Sequence, residues 1–322
     1  MRRRFALVFA LGTGLSISAA ALIACSSPEP KNTLPFDTRD DDEDPKKDAG
    51  KKRREDPPQT EEDPPLPDGG KPPGRVYAHT SKTLYLLDPL AETLTKIGDL
   101  GCLNPGDRLL DIALDRVGVM YGTSDDGFLR IDPIDASCSY VKEDPEAQYP
   151  NSLAFVPMGT VDDTKEVLVG YQFDSAASNE ATIYSQIDLA TGEMTPIGTL
   201  NPPGAAVRYR SSGDLISTIR NGNKAYLTVK AIASDAGTGN DYLAEIDPKT
   251  GQIKNIVGDT GQKNFYGLGQ WAGTAYGFND TGNIVEIDMA TGKGTTLMAV
   301  TEDAGAVAWF GAGVSTNAPT KP

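Results

Sequence analysis

The chain has 322 residues, a formal net charge of −15 and a single histidine. Because an acidic chain repels the phosphates of nucleic acid, this composition excludes nucleic acid as a partner. The length fits one large all-β domain or two small domains, so length alone does not decide the domain count.

The amino terminus has the layout of a secretory signal. Residues 1–4 form a basic n-region, and an apolar run from Phe5 to Ala24 follows it. The run ends in the sequence Leu-Ile-Ala-Cys at residues 22–25, which resembles the lipobox of bacterial lipoproteins. This resemblance implies a signal peptide over residues 1–24 and acylation of Cys25, which becomes the first residue of the mature protein.

Two other interpretations of this terminus stay open: ordinary cleavage with an incidental cysteine, and an uncleaved anchor helix. In the lipoprotein interpretation, each buried lipid CH₂ contributes about 0.8 kcal/mol, so several acyl chains hold the protein to a bilayer. Ser26 follows the cysteine at a position where Asp favours retention in the inner membrane. We therefore expect the outer membrane of a bacterial cell envelope, with the protein either periplasmic or surface-exposed.

Residues 25–74 are rich in proline and charge and contain very few apolar side chains. Such a segment cannot bury a core, so it predicts a disordered tether. A flexible coil of about fifty residues has an end-to-end distance of roughly 40 Å. The basic cluster at residues 51–54 either contacts anionic lipid or cell-wall polymer or belongs to a plain spacer.

From Val76 onward, short β-rich runs alternate with turn residues. An apolar residue followed by Asp ends a strand, and either Pro or the Asp-x-x-Thr-Gly sequence after it favours a tight hairpin. The signal recurs at intervals of 41 to 59 residues, which is typical of a repeat architecture. The hairpin aspartates are Asp88, Asp132, Asp188, Asp247 and Asp288.

The second repeat is the clearest, with four strands predicted around residues 110–115, 119–123, 127–132 and 138–141. Four strands in one repeat predict one blade of a β-propeller. The first repeat lacks its innermost strand, and residues 306–310 supply an inner-strand pattern at the other end of the chain. We therefore predict five four-stranded blades over residues 75–315, with the first blade closed by the C-terminal strand, and a flexible tail over 316–322. A sixth blade would require irregular strands within the long fourth repeat.

This blade pattern resembles the broad bacterial family of WD-repeat-like, YVTN-type β-propellers. The resemblance covers about residues 75 to 315 and implies an extracytoplasmic lipoprotein that carries a propeller behind a charged tether. Quinone-binding propellers have a similar Asp-x-x-Thr-Gly turn followed by Trp, but in this chain Thr250 and Gly251 lead into Gln252. No quinone or other cofactor is therefore expected.

With Cys25 acylated, Cys102 and Cys138 are the two remaining cysteines, and an exported protein favours a disulfide between them over two free thiols. A zinc site or a nucleophilic thiol is a poor alternative, because His79 has no second nitrogen ligand and no group in the sequence to orient it. We interpret His79 as an ordinary strand residue.

Catalysis has little support in the sequence. It contains no Gly-x-Ser-x-Gly elbow, no phosphate loop and no Cys-His arrangement, and the hairpin aspartates are explained by their turns. We therefore predict that the chain is not an enzyme. A propeller hydrolase or lyase would need paired carboxylates that line the central channel.

Four predicted insertions lie at residues 143–150, 172–182, 201–208 and 230–240, on the propeller face opposite the hairpins. Long loops on a rigid scaffold commonly carry binding sites. The candidate binding residues are Asp125, Asp126, Tyr149, Arg208, Tyr209, Arg210, Asp235, Asp241, Trp271 and Asp280.

Within this set, Asp125 and Asp126 offer a weak Ca²⁺ site, but their sequence departs from the calcium loop and favours a plain turn. We expect no other metal. The aromatic rings of Tyr209 and Trp271 are of a kind that stacks on sugars, although core packing is the alternative.

The sequence thus favours a monomeric, membrane-anchored propeller that serves as a binding scaffold for a protein of the envelope. Glycan or peptidoglycan binding is the alternative, and a hydrolase or lyase is the third hypothesis.

Overall fold

The computed structural model describes residues 75–174, 180–219, 222–232, 239–302 and 305–320. The predicted signal peptide, the lipobox with Cys25, the tether and Asp235 lie outside these ranges. Within them the protein is all-β, with 22 strands numbered in chain order.

Five sheets have four strands each, and each sheet runs from an innermost strand outward in the order that follows. Blade 1 contains β22 (Gly311–Gly313), β1 (Val76–His79), β2 (Thr83–Asp88) and β3 (Thr93–Asp99). Blade 2 contains β4 (Leu109–Leu114), β5 (Met120–Ser124), β6 (Gly127–Ile131) and β7 (Cys138–Glu143). Blade 3 contains β8 (Leu153–Val156), β9 (Val167–Asp174), β10 (Glu180–Ile187) and β11 (Met194–Thr199). Blade 4 contains β12 (Tyr209–Thr218), β13 (Lys224–Ala231), β14 (Tyr242–Ile246) and β15 (Ile253–Asp259). Blade 5 contains β16 (Phe265–Trp271), β17 (Thr274–Asn279), β18 (Asn283–Asp288) and β19 (Gly294–Ala299).

The innermost strands contact one another in the ring order β22, β4, β8, β12, β16 and back to β22. All strand pairs within the blades are antiparallel. The prediction of a five-bladed β-propeller, closed in blade 1 by a C-terminal strand, is therefore confirmed. Closure of the ring removes the free inner edges that an open array of blades would expose.

The closing strand itself differs from the prediction, which placed it at residues 306–310. The strand that pairs with β1 is β22, while Ala306 ends a small hairpin of β20 (Thr301–Glu302) and β21 (Gly305–Ala306). Trp309 is buried between blades 5 and 1, with its ring edge-on to Tyr85 at 5.3 Å and to Phe278 at 5.5 Å.

The reason for the shift is steric. A Cβ added to Gly311 would collide with His79, and one added to Gly313 would come within 2.8 Å of the Ile112 carbonyl oxygen. The narrow axis therefore accepts the Gly-Ala-Gly sequence of β22, whereas the bulky alternation that precedes it fills the space between two blades.

The five hairpin aspartates adopt the predicted turns. In blade 3, Asp188 Oδ1 accepts hydrogen bonds from the amides of Ala190 and Thr191, each at 2.9 Å, and Gly192 follows with φ of 68°. Blades 4 and 5 repeat this geometry with Gly251 and Gly292 at positive φ. A turn role for these aspartates is thus supported by their side-chain contacts.

Each of three hairpins packs against a glycine on the outermost strand of the preceding blade. A Cβ on Gly198 would collide with the Thr250 carbonyl oxygen, and one on Gly258 would collide with that of Thr291. Gly98 meets the hairpin of blade 2 in the same way. These glycines let neighbouring blades approach closely, which aligns the five blades around the ring.

The chain after β22 crosses the hairpin face, which is the face that carries the turns between the third and fourth strands. Ser315 Oγ donates to the Asp115 carbonyl at 2.8 Å, Gln270 Nε2 donates to Ala318 O at 3.2 Å, and Ala272 N donates to Pro319 O at 2.7 Å. Residues 316–320, expected to be part of a flexible tail, thus lie packed across this end of the channel, with Thr316 1% and Ala318 4% exposed.

The predicted disulfide between Cys102 and Cys138 is present, with the two Cα atoms 5.5 Å apart. It joins the connection between blades 1 and 2 to the outermost strand of blade 2. The bond holds the connection that leaves blade 1 against blade 2. Blade 1 is the blade that is formed from both ends of the propeller.

Candidate functional site

The loops between blades and those between second and third strands emerge together on the face opposite the hairpins, called the loop face. At its centre is a cavity of about 520 Å³, called the funnel. Four innermost strands contribute the residues at or next to their starts, and the 144–151 connection supplies one wall. The principal funnel residues are Arg108, Leu110, Asp125, Tyr149, Tyr266 and Phe310.

An aromatic pair forms part of the funnel. The rings of Tyr266 and Phe310 are stacked, with centroids 6.5 Å apart and an interplanar angle of 25°. Tyr266 is 41% exposed, which makes it the one aromatic among the large hydrophobic residues that are exposed in the described part of the chain. Its ring is therefore available to a ligand while Phe310 supports it from behind.

A charged pair lies beside these rings. Arg108 Nε and Nη2 donate to the two carboxylate oxygens of Asp125 at 2.7 and 3.2 Å, so the ion pair is bidentate. The Arg108 guanidinium also lies 6.0 Å from the centroid of the Phe310 ring. This geometry holds both the cation and the carboxylate at the rim in a fixed orientation.

Below the funnel, two aspartates meet at the axis of the ring and form the axial pair. Asp111 on β4 and Asp214 on β12 both have 0% exposure. The two carboxyl groups interact, because the charge of Asp111 raises the pKa of Asp214, while Asp214 Oδ1 has no hydrogen-bond partner among the described residues. The acid pair that a hydrolase hypothesis requires is therefore present, but it is closed to solvent.

Backbone amides from the other innermost strands bind the axial pair. The Leu153 amide of β8 donates to Asp111, and the amides of Leu268 in β16 and Ala312 in β22 donate to Asp214 Oδ2 at 3.1 and 2.5 Å. With the strands that carry the two acids, all five innermost strands are joined at this layer. The axial pair thus connects the five innermost strands through side-chain to backbone hydrogen bonds.

Burial dominates the acidity of the axial pair. It raises the pKa of Asp111 to about 6, although the neighbouring His79 and Asp214 side chains favour its charged form. Burial, followed by the negative charge of Asp111, raises the pKa of Asp214 well above its usual value. Ionisation of two neighbouring buried carboxyl groups is unfavourable, so Asp214 keeps its proton when Asp111 ionises.

His79 also belongs to this layer, which corrects the prediction that no group would orient it. It is a strand residue of β1 with 0% exposure; Nδ1 lies 2.8 Å from the Thr80 carbonyl oxygen, and Nε2 lies 3.8 Å from Asp111 Oδ1. The sequence could not place a carboxylate beside it, because His79 of β1 and Asp111 of β4 come together only when β22 closes the ring.

A second buried ionic group lies under the loop face in blades 4 and 5. Lys230 Nζ lies 3.3 Å from Asp241 Oδ1 and donates to Asn264 Oδ1 at 3.0 Å. Asp241 Oδ2 accepts the Phe265 amide at 2.8 Å. Asn264 Nδ2 donates to Asp280 Oδ2 at 3.1 Å, which links the group to the rim of the channel.

Tyr266 stands between this ionic group and the funnel. Burial raises the pKa of its hydroxyl, Asp280 and Asp241 act in the same direction, and Arg210 opposes them. The predicted residues Arg210, Asp241 and Asp280 are therefore close enough to influence the exposed ring. None of these three lies in the funnel wall itself.

Of the predicted residues, Asp125 and Tyr149 line the funnel, and the others have different surroundings. Asp126 lies in the turn between β5 and β6, where its Oδ2 accepts a hydrogen bond from Asn104 Nδ2 at 3.2 Å. Tyr149 is buried, and its hydroxyl donates to Gly192 O at 3.3 Å. Tyr209 packs edge-on against Tyr242 at 6.3 Å. Arg208 is exposed on the loop face.

Trp271 is separate from the other candidates. It ends β16 and is 7% exposed, so it belongs to the hairpin face. There it lines a cavity of about 420 Å³ together with Ile134, Val314 and Pro319. A shared surface between Trp271 and the loop-face residues is thus not formed.

Four of the principal funnel residues were missed in the sequence: Arg108, Leu110, Tyr266 and Phe310. A positional signal existed, because Tyr266 and Phe310 directly precede Gly267 and Gly311, and Arg108 lies three residues before Asp111. Asp111, Gly267 and Gly311 all lie at or near the starts of innermost strands. Recognition of this pattern requires the correct closing strand, which the sequence analysis placed too early.

In the described ranges, no group of three or more His, Cys, Asp or Glu side chains has the arrangement of a metal site. The same residues contain no helix that would suit a membrane crossing.

No protein-family profile and no curated protein matches the chain. A protein of unknown function from Bacteroides caccae is similar in structure over 75% of this chain and 98% of its own, with 12% identity and a TM-score of 0.39. One from Bacteroides thetaiotaomicron VPI-5482 has 16% identity and a TM-score of 0.37, covering 68% of this chain and 55% of its own. The Dos1 propeller has 12% identity and a TM-score of 0.36, covering 72% and 58%. At these values the likenesses carry no argument about function.

Proposed function

We propose that the protein is a lipid-anchored β-propeller of the bacterial cell envelope that binds a partner through its loop face and catalyses no reaction. The observation that carries the proposal is the funnel. It is a concave site at the centre of a rigid ring, with an exposed Tyr266 supported by Phe310 and a fixed ion pair beside it. Preorganised aromatic and Arg side chains are typical of binding sites.

The state of the axial pair supports binding over hydrolysis. Asp111 and Asp214 have no exposed area. Amides of three innermost strands donate hydrogen bonds to Asp111 and to Asp214 Oδ2. A substrate would reach them only if the innermost strands separated. A hydrolase of this type needs one acid to protonate a leaving group and the other to act on an accessible carbon or water.

The envelope location rests on the amino-terminal sequence, with its lipobox at residues 22–25 and charged tether up to residue 74. We expect Cys25→Ala to abolish lipid modification and to move the protein out of the membrane fraction of its own cells. Cys102→Ala is the matched control, because it removes a cysteine outside the lipobox. Unchanged processing and fractionation of the Cys25→Ala protein would contradict the anchor.

The binding role is tested by crosslinking the full-length protein in its own cells, purifying it and identifying the molecules that are crosslinked to it. The proposal expects a specific envelope component with the wild type and with Ile134→Ala, whose side chain is 86% exposed on the hairpin face. The component should be lost with Tyr266→Ala. If recovery is the same for all three proteins, or if nothing specific is recovered, the loop face is not the binding surface.

A further inference from the structure

We infer that the funnel binds a neutral sugar ring, stacked on Tyr266 and hydrogen-bonded by Arg108 and Asp125. This inference rests on the proposed binding function and names the ligand class. The glycan alternative drawn from the sequence placed the stacking aromatic at Tyr209 or Trp271. The structure instead exposes Tyr266, with 41% of its surface free.

The first argument is the shape of the site. The funnel is a cavity of about 520 Å³, within the range of small-ligand sites and unlike the flat surfaces of most protein interfaces. Its floor is closed, because the axial layer of Asp111, His79 and Asp214 is fully buried. A compact group therefore enters from the loop face and stops above this layer.

The second argument is the chemistry of the wall. A sugar ring is amphipathic: its C–H groups contact an aromatic face, while its hydroxyl groups require donors and acceptors around the edge. Tyr266 supplies an aromatic ring whose conformation is held by stacking on Phe310. The bidentate Arg108–Asp125 pair supplies donors and acceptors side by side, which suits two neighbouring hydroxyl groups.

The polar groups also separate a sugar from an apolar peptide side chain. Gln148 and Asn151 line the same cavity, and Asn151 Oδ1 has no hydrogen-bond partner among the described residues. An aromatic or aliphatic side chain would cover Arg108 and Asp125 without bonding to them, which is unfavourable. Because Asp125 already balances Arg108, the site favours a neutral ligand over an anionic one.

The test measures binding to the full-length protein in detergent by saturation-transfer NMR and calorimetry. The probes are glucose, galactose, N-acetylglucosamine and their β-1,4-linked disaccharides, and N-acetylphenylalaninamide serves as the apolar probe. We expect at least one sugar to bind and the apolar probe not to bind. Tyr266→Ala should weaken sugar binding by at least about tenfold, whereas Tyr266→Phe should retain it.

Two further variants locate the site. Asp125→Asn should weaken sugar binding because it removes the carboxylate that accepts hydroxyl groups and fixes Arg108. Ile134→Ala, on the hairpin face, should leave sugar binding unchanged. Thermal unfolding of each variant establishes that it is folded.

The inference is overturned if no sugar binds, if only the apolar probe binds, or if sugar binding survives Tyr266→Ala. These results differ from failure of the proposed function, because the crosslinking experiment reports on any envelope partner of the loop face. An envelope protein lost with Tyr266→Ala, together with no sugar binding, would retain the binding function and replace the ligand class.

Discussion

Replacement of Asp214 by asparagine should make the free energy of unfolding less dependent on pH. In the native fold Asp214 Oδ2 accepts hydrogen bonds from the amides of Leu268 and Ala312, and the charge of Asp111 helps to keep the Asp214 carboxyl protonated. An asparagine side chain is compatible with both features, with its oxygen facing the amides and its NH₂ facing Asp111. The variant therefore imitates the protonated acid without requiring a proton.

The sign follows from the raised pKa values. A folded acid with a raised pKa retains a proton that the unfolded chain loses, so its contribution to stability is complete at low pH and is lost as pH rises. Each such proton lowers the free energy of unfolding by about 1.4 kcal/mol per pH unit. The window extends from the usual aspartate pKa of 3.8 to the pKa of Asp111, which is about 6.

Asp214 keeps its proton across this window, because Asp111 titrates first. Across roughly two pH units, Asp214 alone should lower the stability of the wild type by about 3 kcal/mol. Asp214→Asn should therefore equal the wild type near the bottom of the window and be more stable by about 3 kcal/mol at its top. The other titrating groups are shared by the two proteins and cancel in the comparison.

The assay is urea unfolding of both proteins at several pH values through the window. Asp188→Asn is the control, because hydrogen bonds from the Thr191 and Ala190 amides lower the pKa of Asp188, so its loss should change the pH dependence in the opposite direction. An Asp214→Asn protein that is less stable than the wild type at every pH, with an unchanged slope, would refute a protonated Asp214.

Three further predictions concern stability and use the same unfolding measurement. Glu92→Gly should stabilise by about 1 kcal/mol, because Glu92 is exposed at φ of 51° where three other hairpins have glycine, and an unchanged or lower stability would contradict strain there. Gly198→Ala should cost about 2 kcal/mol or more through a collision with the hairpin of blade 4, whereas Gly101→Ala, with nothing within 4 Å, should be close to neutral. Reduction of the disulfide, which spans 36 residues from Cys102, should cost roughly 3 to 4 kcal/mol, and a reduced protein as stable as the oxidised one would show that the bond constrains little.

The features that the sequence predicted correctly depend on local signals. The Asp-x-x-Thr-Gly turns need only four or five neighbouring residues to form, so Asp188, Asp247 and Asp288 could be placed without knowledge of the ring. The four strands of blade 2 are separated by short turns, and their boundaries were predicted closely. The disulfide followed from elimination, because Cys102 and Cys138 were the two remaining partners.

The features that were missed depend on closure of the ring. Trp309 lies in an alternating apolar stretch that matches an inner strand, yet the space at the axis admits only the small residues of β22. Asp111 and Asp214 each interrupt an apolar strand, which is a local sign of an unusual role. Their meeting across the axis could not be predicted, because it depends on the relative positions of blades 2 and 4.

The same dependence explains why the predicted binding set contained only two of the principal funnel residues, Asp125 and Tyr149. The long insertions predicted binding sites in the loops, and the 143–150 connection does line the funnel through Tyr149. The exposed ring, however, comes from the start of β16, where Tyr266 precedes Gly267. A Cβ on Gly267 would press on β22, so the small residue draws the two strands together and leaves the larger ring at the surface.

The axial pair links closure of the ring to the location of function. Its two side chains come from β4 and β12, and their carboxyl oxygens accept hydrogen bonds from backbone amides of β8, β16 and β22. Loss of either acid therefore leaves amides of neighbouring strands without partners. Any reaction at the pair would break the contacts that hold the five strands together. The hairpin face is covered by residues 314–320, which contact blades 2 to 5. The funnel opens at the other end of the channel, on the loop face, so a ligand bound there would leave the contacts of the axial pair intact.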